Sequence, residues 1–359
     1  LRNVTLMLSS TLFLLTGCSF FNASNFSEQQ KNEMIEVTKV EDEKLEVIAE
    51  SLNIPWSIEK TGDLFYLSER TGGIVKIEDG KTEKQSVKLE KELATASEAG
   101  FLGFVLSPDF EQSKIAYAYY TYVDESGQFN RIVTLLYEGD TWKEESILLD
   151  KIPSGTRHHG GRIEIGPDEK LYATTGDAGD TSTPQELKSL GGKILRLNLD
   201  GTIPSDNPFP NSFVYSYGHR NPQGITWSPD GTMYASEHGN DANDEINLIK
   251  PGQNYGWPII EGNEEKEGMV TPLFTSGTDS TWAPSGLSYI DDKLYVAALR
   301  GEAVLEFDLP NKNENEFITG LGRVRDVFVD GEYLYFITNN TDGRGNPSEN
   351  DDKLYRIRL

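Results

Sequence analysis

Short runs of alternating apolar and polar residues recur along this chain, and one composite unit repeats. It begins with an apolar alternating run and passes through a Pro-Asp or Asp-Gly turn or a close variant. It then continues into an aromatic-rich strand that often ends near Glu, Asp or Asn. Period-two alternation bounded by such turns predicts paired strands rather than helices. The unit appears at residues 54–69 (I-P-W-S-I-E-K-T-G-D-L-F-Y-L-S-E), 103–120, 161–177, 224–237, 286–299 and 325–339. After most copies comes a further amphipathic strand, such as Ile74-Val75-Lys76-Ile77, Ile194-Leu195-Arg196-Leu197, Val304-Leu305-Glu306-Phe307 or Leu354-Tyr355-Arg356-Ile357. Copies start about 40 to 60 residues apart, as in a radial repeat with inserted loops. Six copies, short strands throughout and no long helical pattern predict an all-β fold, a six-bladed β-propeller. Residues 42–49 (D-E-K-L-E-V-I-A) predict a strand that closes the ring against the last blade. A sandwich or a β-helix would also hold many short strands, but neither explains six strand–turn–strand copies.

The front of the chain follows a different pattern. Residues 1–18 carry Arg2, an apolar stretch from Val4 to Leu15 too short to span a bilayer, and the small-residue sequence Leu15-Thr16-Gly17-Cys18. This resembles a bacterial lipoprotein signal, whose lipobox ends in the cysteine that is lipidated. Cys18 is the chain's one cysteine, so no internal disulfide forms. Lipid on Cys18 predicts an exported domain anchored to the outer face of the cytoplasmic membrane. Residues 19–41, rich in Asn, Ser, Gln, Glu and Lys, read as a flexible tether. Residues 42–359 remain for the repeat domain.

Charge narrows the partners. With 58 Asp and Glu against 33 Lys and Arg, the formal net charge is −25. A nucleic-acid partner is excluded on this ground, because phosphate binding needs a basic surface. Divalent cations are compatible with such a chain.

The unusual side chains fall in the middle of the sequence. In T-R-H-H-G-G-R-I-E-I-G-P-D-E-K-L-Y-A-T-T-G-D, His158 stands before one strand pattern and Asp177 after its hairpin partner. Opposite ends of an antiparallel pair meet at one sheet edge, so an imidazole and a carboxylate share a rim. All four histidines, His158, His159, His219 and His238, lie in glycine-containing loops. Their spacing is too long, and short of a second cysteine, for a zinc site. Arg220-Asn221-Pro222-Gln223-Gly224 gathers a guanidinium and two amides before a strand, and residues 237–257 are dense in the hard oxygen donors calcium prefers. Arg323 and Arg325, two residues apart, share a strand face and suit a multiply charged carboxylate.

These blocks, taken in order from Leu45 to Leu359, resemble the soluble glucose/sorbosone dehydrogenase family, six-bladed propeller quinoproteins that oxidise aldoses with pyrroloquinoline quinone (PQQ). Within it, the chain is most similar to the bacterial aldose sugar dehydrogenases. The resemblance rests on H-x-G-G-R at 158–162, T-G-D at 175–177, G-G-K-I-L-R at 191–196 and G-H-R-N-P-Q-G at 218–224. It continues through D-E-I-N at 244–247, N-Y-G-W-P at 254–258, A-P-S-G at 283–286 and R-V-R-D-V at 323–327. It implies His158 as general base with Asp177 as its partner, and Arg220, Asn221 and Gln223 against the quinone, Arg220 also serving catalysis. It implies Arg323 and Arg325 on the quinone carboxylates and Thr281 in the cofactor pocket. The backbone carbonyls of Gly239 and Asn240 would ligate an active-site Ca2+, with Glu245 and the Tyr255 carbonyl at a second, structural calcium. Two positions depart from the family pattern: Glu98 where quinone-binding members often have Gln, and Arg300 where Lys is usual.

Two rival readings remain at this point: a calcium-dependent propeller lactonase or esterase, and a non-catalytic, lipid-anchored sugar- or protein-binding propeller. The preferred aldose, the electron acceptor and the choice between monomer and dimer stay open. The lipobox yields a direct expectation. The wild-type protein should fractionate with membranes and carry lipid on an N-terminal Cys18, and Cys18→Ala should release it or leave it unprocessed. A wholly soluble wild type with an intact, unmodified Cys18 overturns the anchor.

Overall fold

The computed structural model describes residues 45–359; the leader, the tether and Cys18 lie outside the described residues. Each repeat predicted from the alternation is a pair of antiparallel strands, beginning with Pro55–Thr61 against Leu64–Glu69 and ending with Val324–Asp330 against Tyr333–Thr338. Third and fourth strands extend each pair into a four-stranded ladder, so the described residues hold 24 strands and one short helix, Phe110–Ser113. Four ladders are separate sheets. The first two, residues 55–88 and 101–153, join into one eight-stranded sheet, because Ser86 to Lys88 pair in parallel with Thr141 to Lys143.

The expected closing strand is present. Leu45–Ala49 pairs antiparallel with Leu354–Arg358 and supplies the outermost strand of the sixth ladder.

Why the ladders assemble follows from their two faces. In Leu64–Glu69, Phe65 and Leu67 point one way and pack with Tyr335, Ile337 and Leu354 of the sixth ladder. Tyr66, one residue out of phase, points the other way and packs with Phe104, Phe110 and Trp142 of the second. Side chains alternate across a strand, so a ladder that is apolar at both parities has two faces to bury. Six buried clusters lie between successive ladders, including one between the sixth and the first. The first strands follow the same order: each touches the first strand of the next ladder, and Val324–Asp330 returns to Pro55–Thr61.

A buried ion pair pins these first strands together. Arg162 Nη1 donates to Asp326 Oδ2 at 2.9 Å, and the same oxygen accepts the Ile58 N–H at 2.9 Å, linking ladders three, six and one. Gly286 makes room for it, since a Cβ there would lie 1.6 Å from Asp326 Oδ1.

Trp142 tests the two-faced packing between the first ladders. It is fully buried among Tyr66, Phe104, Phe110 and Tyr137 and donates from Nε1 to Gln85 Oε1 at 2.8 Å. Trp142→Ala should cost about 3–5 kcal/mol in denaturant-unfolding free energy, the range for emptying a buried aromatic site.

Candidate functional site

Five of the six first strands carry a register shift near their start: at Trp56, between Phe101 and Phe104, at Gln223, between Pro284 and Leu287, and at Arg325. A bulge inserts an unpaired residue and re-aims its side chain. Here Trp56, Leu102, Gln223 and Arg325 all reach into one cavity of about 420 Å3. The two-residue period that puts Arg323 and Arg325 on one face is thus interrupted, and both arginines still line the cavity.

His158 and Asp177 meet at the expected rim. His158 Nδ1 lies 2.6 Å from Asp177 Oδ1, which also accepts the Gly179 N–H at 2.7 Å, while Oδ2 accepts Trp257 Nε1–H at 2.9 Å. Burial pushes the Asp177 carboxyl up, but the hydrogen bonds from His158, Gly179 and Trp257 outweigh it and hold the group below its ordinary value. An ionised carboxylate only accepts, so Nδ1 carries a proton and the lone pair of the neutral ring is on Nε2. The ring lines the cavity. His158 itself is left-handed, with φ +60°, a conformation costing on the order of 1–3 kcal/mol for such a residue. Gly176 permits it, because a Cβ there would sit 1.8 Å from the His158 carbonyl oxygen.

The neighbouring histidines do other work. The sequence places His158 and His159 on opposite sides of an extended segment; the left-handed turn at His158, not an extended backbone, achieves the separation. His159 Nδ1 faces Ser154 Oγ and Asn130 Oδ1, both at 3.2 Å, and burial pushes the ring down to about 4. His219 is away from the cavity, bonded to Ser216 and Glu237 and stacked on Tyr255. His238 lines the cavity, pushed down to about 4 by burial, and its Nε2 is buried without a partner among the described residues.

Charge is the cavity's second feature. Seven arginines line it (Arg70, Arg157, Arg220, Arg300, Arg323, Arg325 and Arg344) against three carboxylates, Glu98, Asp241 and Asp244. Arg323 is paired with Asp342 at 2.9 Å and donates to the Leu299 carbonyl at 3.1 Å. Arg325 donates to Gln223 Oε1 at 2.8 Å and has no carboxylate partner among the described residues; burial, with Arg323 beside it, works against its charge. The Nε atoms of Arg220 and Arg325 are buried and unpaired among the described residues. Such donors fit an anion with several carboxylates.

Of the residues expected from sequence, Glu98, Arg220, Asn221, Gln223, Gly239, Asn240, Thr281, Arg300, Arg323 and Arg325 join His158 around this cavity. Arg300 is at its exposed edge. Asp244 was not anticipated; it accepts from Thr281 Oγ1 and the Trp282 and Ala283 N–H groups on one oxygen and Gly239 N–H on the other. Arg70, Arg157, Arg344 and Trp56 were also missed. Arg70 had a signal, since it follows the second strand of its repeat as Arg300 does in the fifth. Glu245 and Tyr255 lie instead in an adjoining cleft of about 10 Å3 with Glu237 and Glu261, room for about one water-sized guest.

Among the described residues no group of three or more His, Cys, Asp or Glu is placed to hold a metal. What the 238–241 loop offers a cation is backbone oxygen: the His238 and Asn240 carbonyls each accept from Arg220 at 3.4 Å. In the adjoining cleft, burial and then the Glu237 carboxylate push Glu245 up to about 8, a penalty a hard cation would reverse.

Glu98 behaves oppositely. Burial alone would raise it, but hydrogen bonds from the His158 N–H at 2.9 Å and Arg344 at 3.0 Å hold it down at about 2, against an ordinary 4.5. A carboxyl depressed on folding contributes stability above its unfolded value and loses it as pH falls through the folded value. The stability gap between wild type and Glu98→Gln should therefore be full near neutral pH and shrink from about pH 4.5 towards 2. Denaturant melts across that range measure it.

Comparison with known proteins follows the same lines. The family model described as glucose/sorbosone dehydrogenase matches residues 52–356. Quinoprotein glucose dehydrogenase B of Acinetobacter calcoaceticus is 36% identical over 269 residues, 66% of this chain but only 56% of that relative's length. Aldose sugar dehydrogenase YliI of Escherichia coli is 28% identical, with 83% and 91% of the two chains covered. The PQQ-bound form of aldose sugar dehydrogenase from Streptomyces coelicolor matches with a TM-score of 0.82 and 38% identity, over 88% of this chain and 97% of that one. With nearly the whole described domain matched, the chain belongs to the glucose/sorbosone dehydrogenase family.

Proposed function

We propose that this protein oxidises aldose sugars at C1 to lactones, using PQQ and Ca2+ within a six-bladed β-propeller. The observation that carries the reading is an oriented His–Asp pair on the wall of an arginine-lined cavity. The six ladders, with first strands in a closed circuit of contacts, support the propeller.

Arg323 and Arg325 would hold the quinone carboxylates, with Arg220, Asn221, Gln223 and Thr281 around it and Glu98 and Arg300 at the edges. The carbonyls of Gly239 and Asn240 would hold one calcium ion, and Glu245 with the Tyr255 carbonyl a second. Bound there, the quinone would supply a hydride acceptor and the nearby calcium a Lewis acid that polarises it. The chain's own part is proton handling and orientation. His158 Nε2, with its lone pair fixed by the Nδ1–H bond to Asp177, takes the proton of the anomeric hydroxyl. Asp177 stabilises the imidazolium so formed, and Trp257 and Gly179 keep the carboxylate from rotating. Buried His159, already bonded to the second ladder, is not placed to share that work.

A lactonase would need carboxylates and amides converging on a channel calcium, and it gives no use for Arg323 and Arg325 on the cavity wall. A non-catalytic propeller gives no use for the His158–Asp177 pair. We further propose that lipid on Cys18 keeps the domain at the outer face of the cytoplasmic membrane, as monomer or dimer, where an acceptor of unknown identity collects the electrons.

Two sets of variants test this reading. With PQQ, calcium and an artificial acceptor, His158→Ala should lose about 10²–10⁴-fold in turnover, while His159→Ala should lose far less. If His159→Ala is the dead variant, the base has been assigned one residue out. Arg323→Ala and Arg325→Ala should each weaken quinone binding by about 1.5–3 kcal/mol. Unchanged affinity in both, by titration, removes the clamp.

A further inference from the structure

Glu98 and Arg344 come from loops of different ladders and meet over the cavity. Glu98 lies between the first and second ladders, and Arg344 lies between two strands of the sixth. One Glu98 oxygen, Oε1, accepts from Arg344 at 3.0 Å; the other, Oε2, accepts the backbone N–H of His158 at 2.9 Å. The loop that carries Arg344 also carries Asp342, whose Oδ2 is bonded to Arg323 Nη2 at 2.9 Å and Nε at 3.2 Å. One short loop thus touches both halves of the site.

The geometry points to Glu98 as a positioning residue that holds the His158 backbone, with Arg344 completing an ionic strap across the cavity mouth. His158 needs such a hold. Its left-handed backbone is unfavourable for a β-carbon-bearing residue and persists where surroundings over-determine it. Three contacts do so here: Asp177 on the ring, the Ala178 N–H donating to the His158 carbonyl at 3.3 Å, and Glu98 on the His158 N–H. Glu98 is the one that comes from another ladder, 60 residues away in sequence. Arg344 is the solvent-facing end of the strap, its side chain 55% exposed against 23% for Glu98. Counter-ions screen the exposed end more than the half-buried one. Arg70 and His238 also face Glu98, so its carboxylate sits among positive and polar groups rather than against another acid.

The inference rests on reading His158 as the base, and its test keeps the two apart. Hydrogen–deuterium exchange of the His158 amide, quinone titration and steady-state kinetics are measured on the wild type and three variants. Glu98→Ala removes both strap contacts; the amide should exchange about tenfold faster or more. Its kcat should fall about 10–100-fold through misplacement of the base, a larger change than any in quinone affinity. Glu98→Gln keeps an oxygen for the His158 N–H and should recover the protection and most of kcat. Arg344→Gln should raise KM more than it lowers kcat, and its KM should vary less with salt than that of the wild type. Unchanged exchange in Glu98→Ala, or a Gln variant no better than the Ala variant, overturns the inference. A wild type that oxidises no sugar sinks the proposed function, while the exchange data still decide the strap.

Discussion

A ladder of four strands that is apolar on both faces cannot be satisfied by a single neighbour. Phe65 and Leu67 need one partner sheet, Tyr66 and Ile74 another, and the same holds around the chain until the sixth ladder packs on the first. Hydrophobic burial therefore dictates a ring, and a ring brings the first strand of every ladder to the middle. The site depends on that convergence. His158, Arg220, Trp56 and Arg325 are far apart in sequence and share a cavity because their strands start at the same rim.

Electrostatics then makes the rim chemically distinct from the rest of the molecule. A chain with net charge −25 gathers seven arginines around one cavity. Burial works against the charges of Arg70, Arg220 and Arg325, and Arg325 has only an amide and a serine hydroxyl within reach of Nη1. An anionic ligand would offset that cost. The carboxylates nearby are kept ionised by specific donors rather than by solvent: Asp177 by His158, Gly179 and Trp257, Glu98 by His158 and Arg344. Glu98 and Asp244 are thus already engaged by specific donors within the cavity.

Much of this was legible in the sequence for a physical reason. Strand alternation is a period-two signal, so all six hairpins and the closing strand appear where the pattern puts them. That His158 and Asp177 share one rim follows from hairpin geometry, while their pairing was implied by the family resemblance. What escaped was whatever depends on exceptions to that period. The register shifts that turn Trp56 and Arg325 into the cavity have no composition signature, and neither does the left-handed His158. The parallel joint between the first two ladders was likewise invisible, since three residues pairing sideways leave no pattern. Arg344 and Asp342 lie in a loop whose partners, Glu98 and Arg323, are set only by the ring.

The strand Leu45–Ala49 carries one more implication. Its partner Leu354–Arg358 is at the far end of the chain, so the sixth ladder cannot be completed by local pairing. Every hairpin can form from neighbouring residues, but the last seam joins the two extremities, at the highest contact order the molecule offers. During synthesis the early ladders would exist for some time as an open arc with an exposed apolar face at each end. That arc is vulnerable to wrong partners until the C-terminal strand arrives. In the finished ring the same seam works in reverse: opening at either terminus uncovers both end ladders together, which ties resistance to proteolysis to the integrity of one five-residue strand.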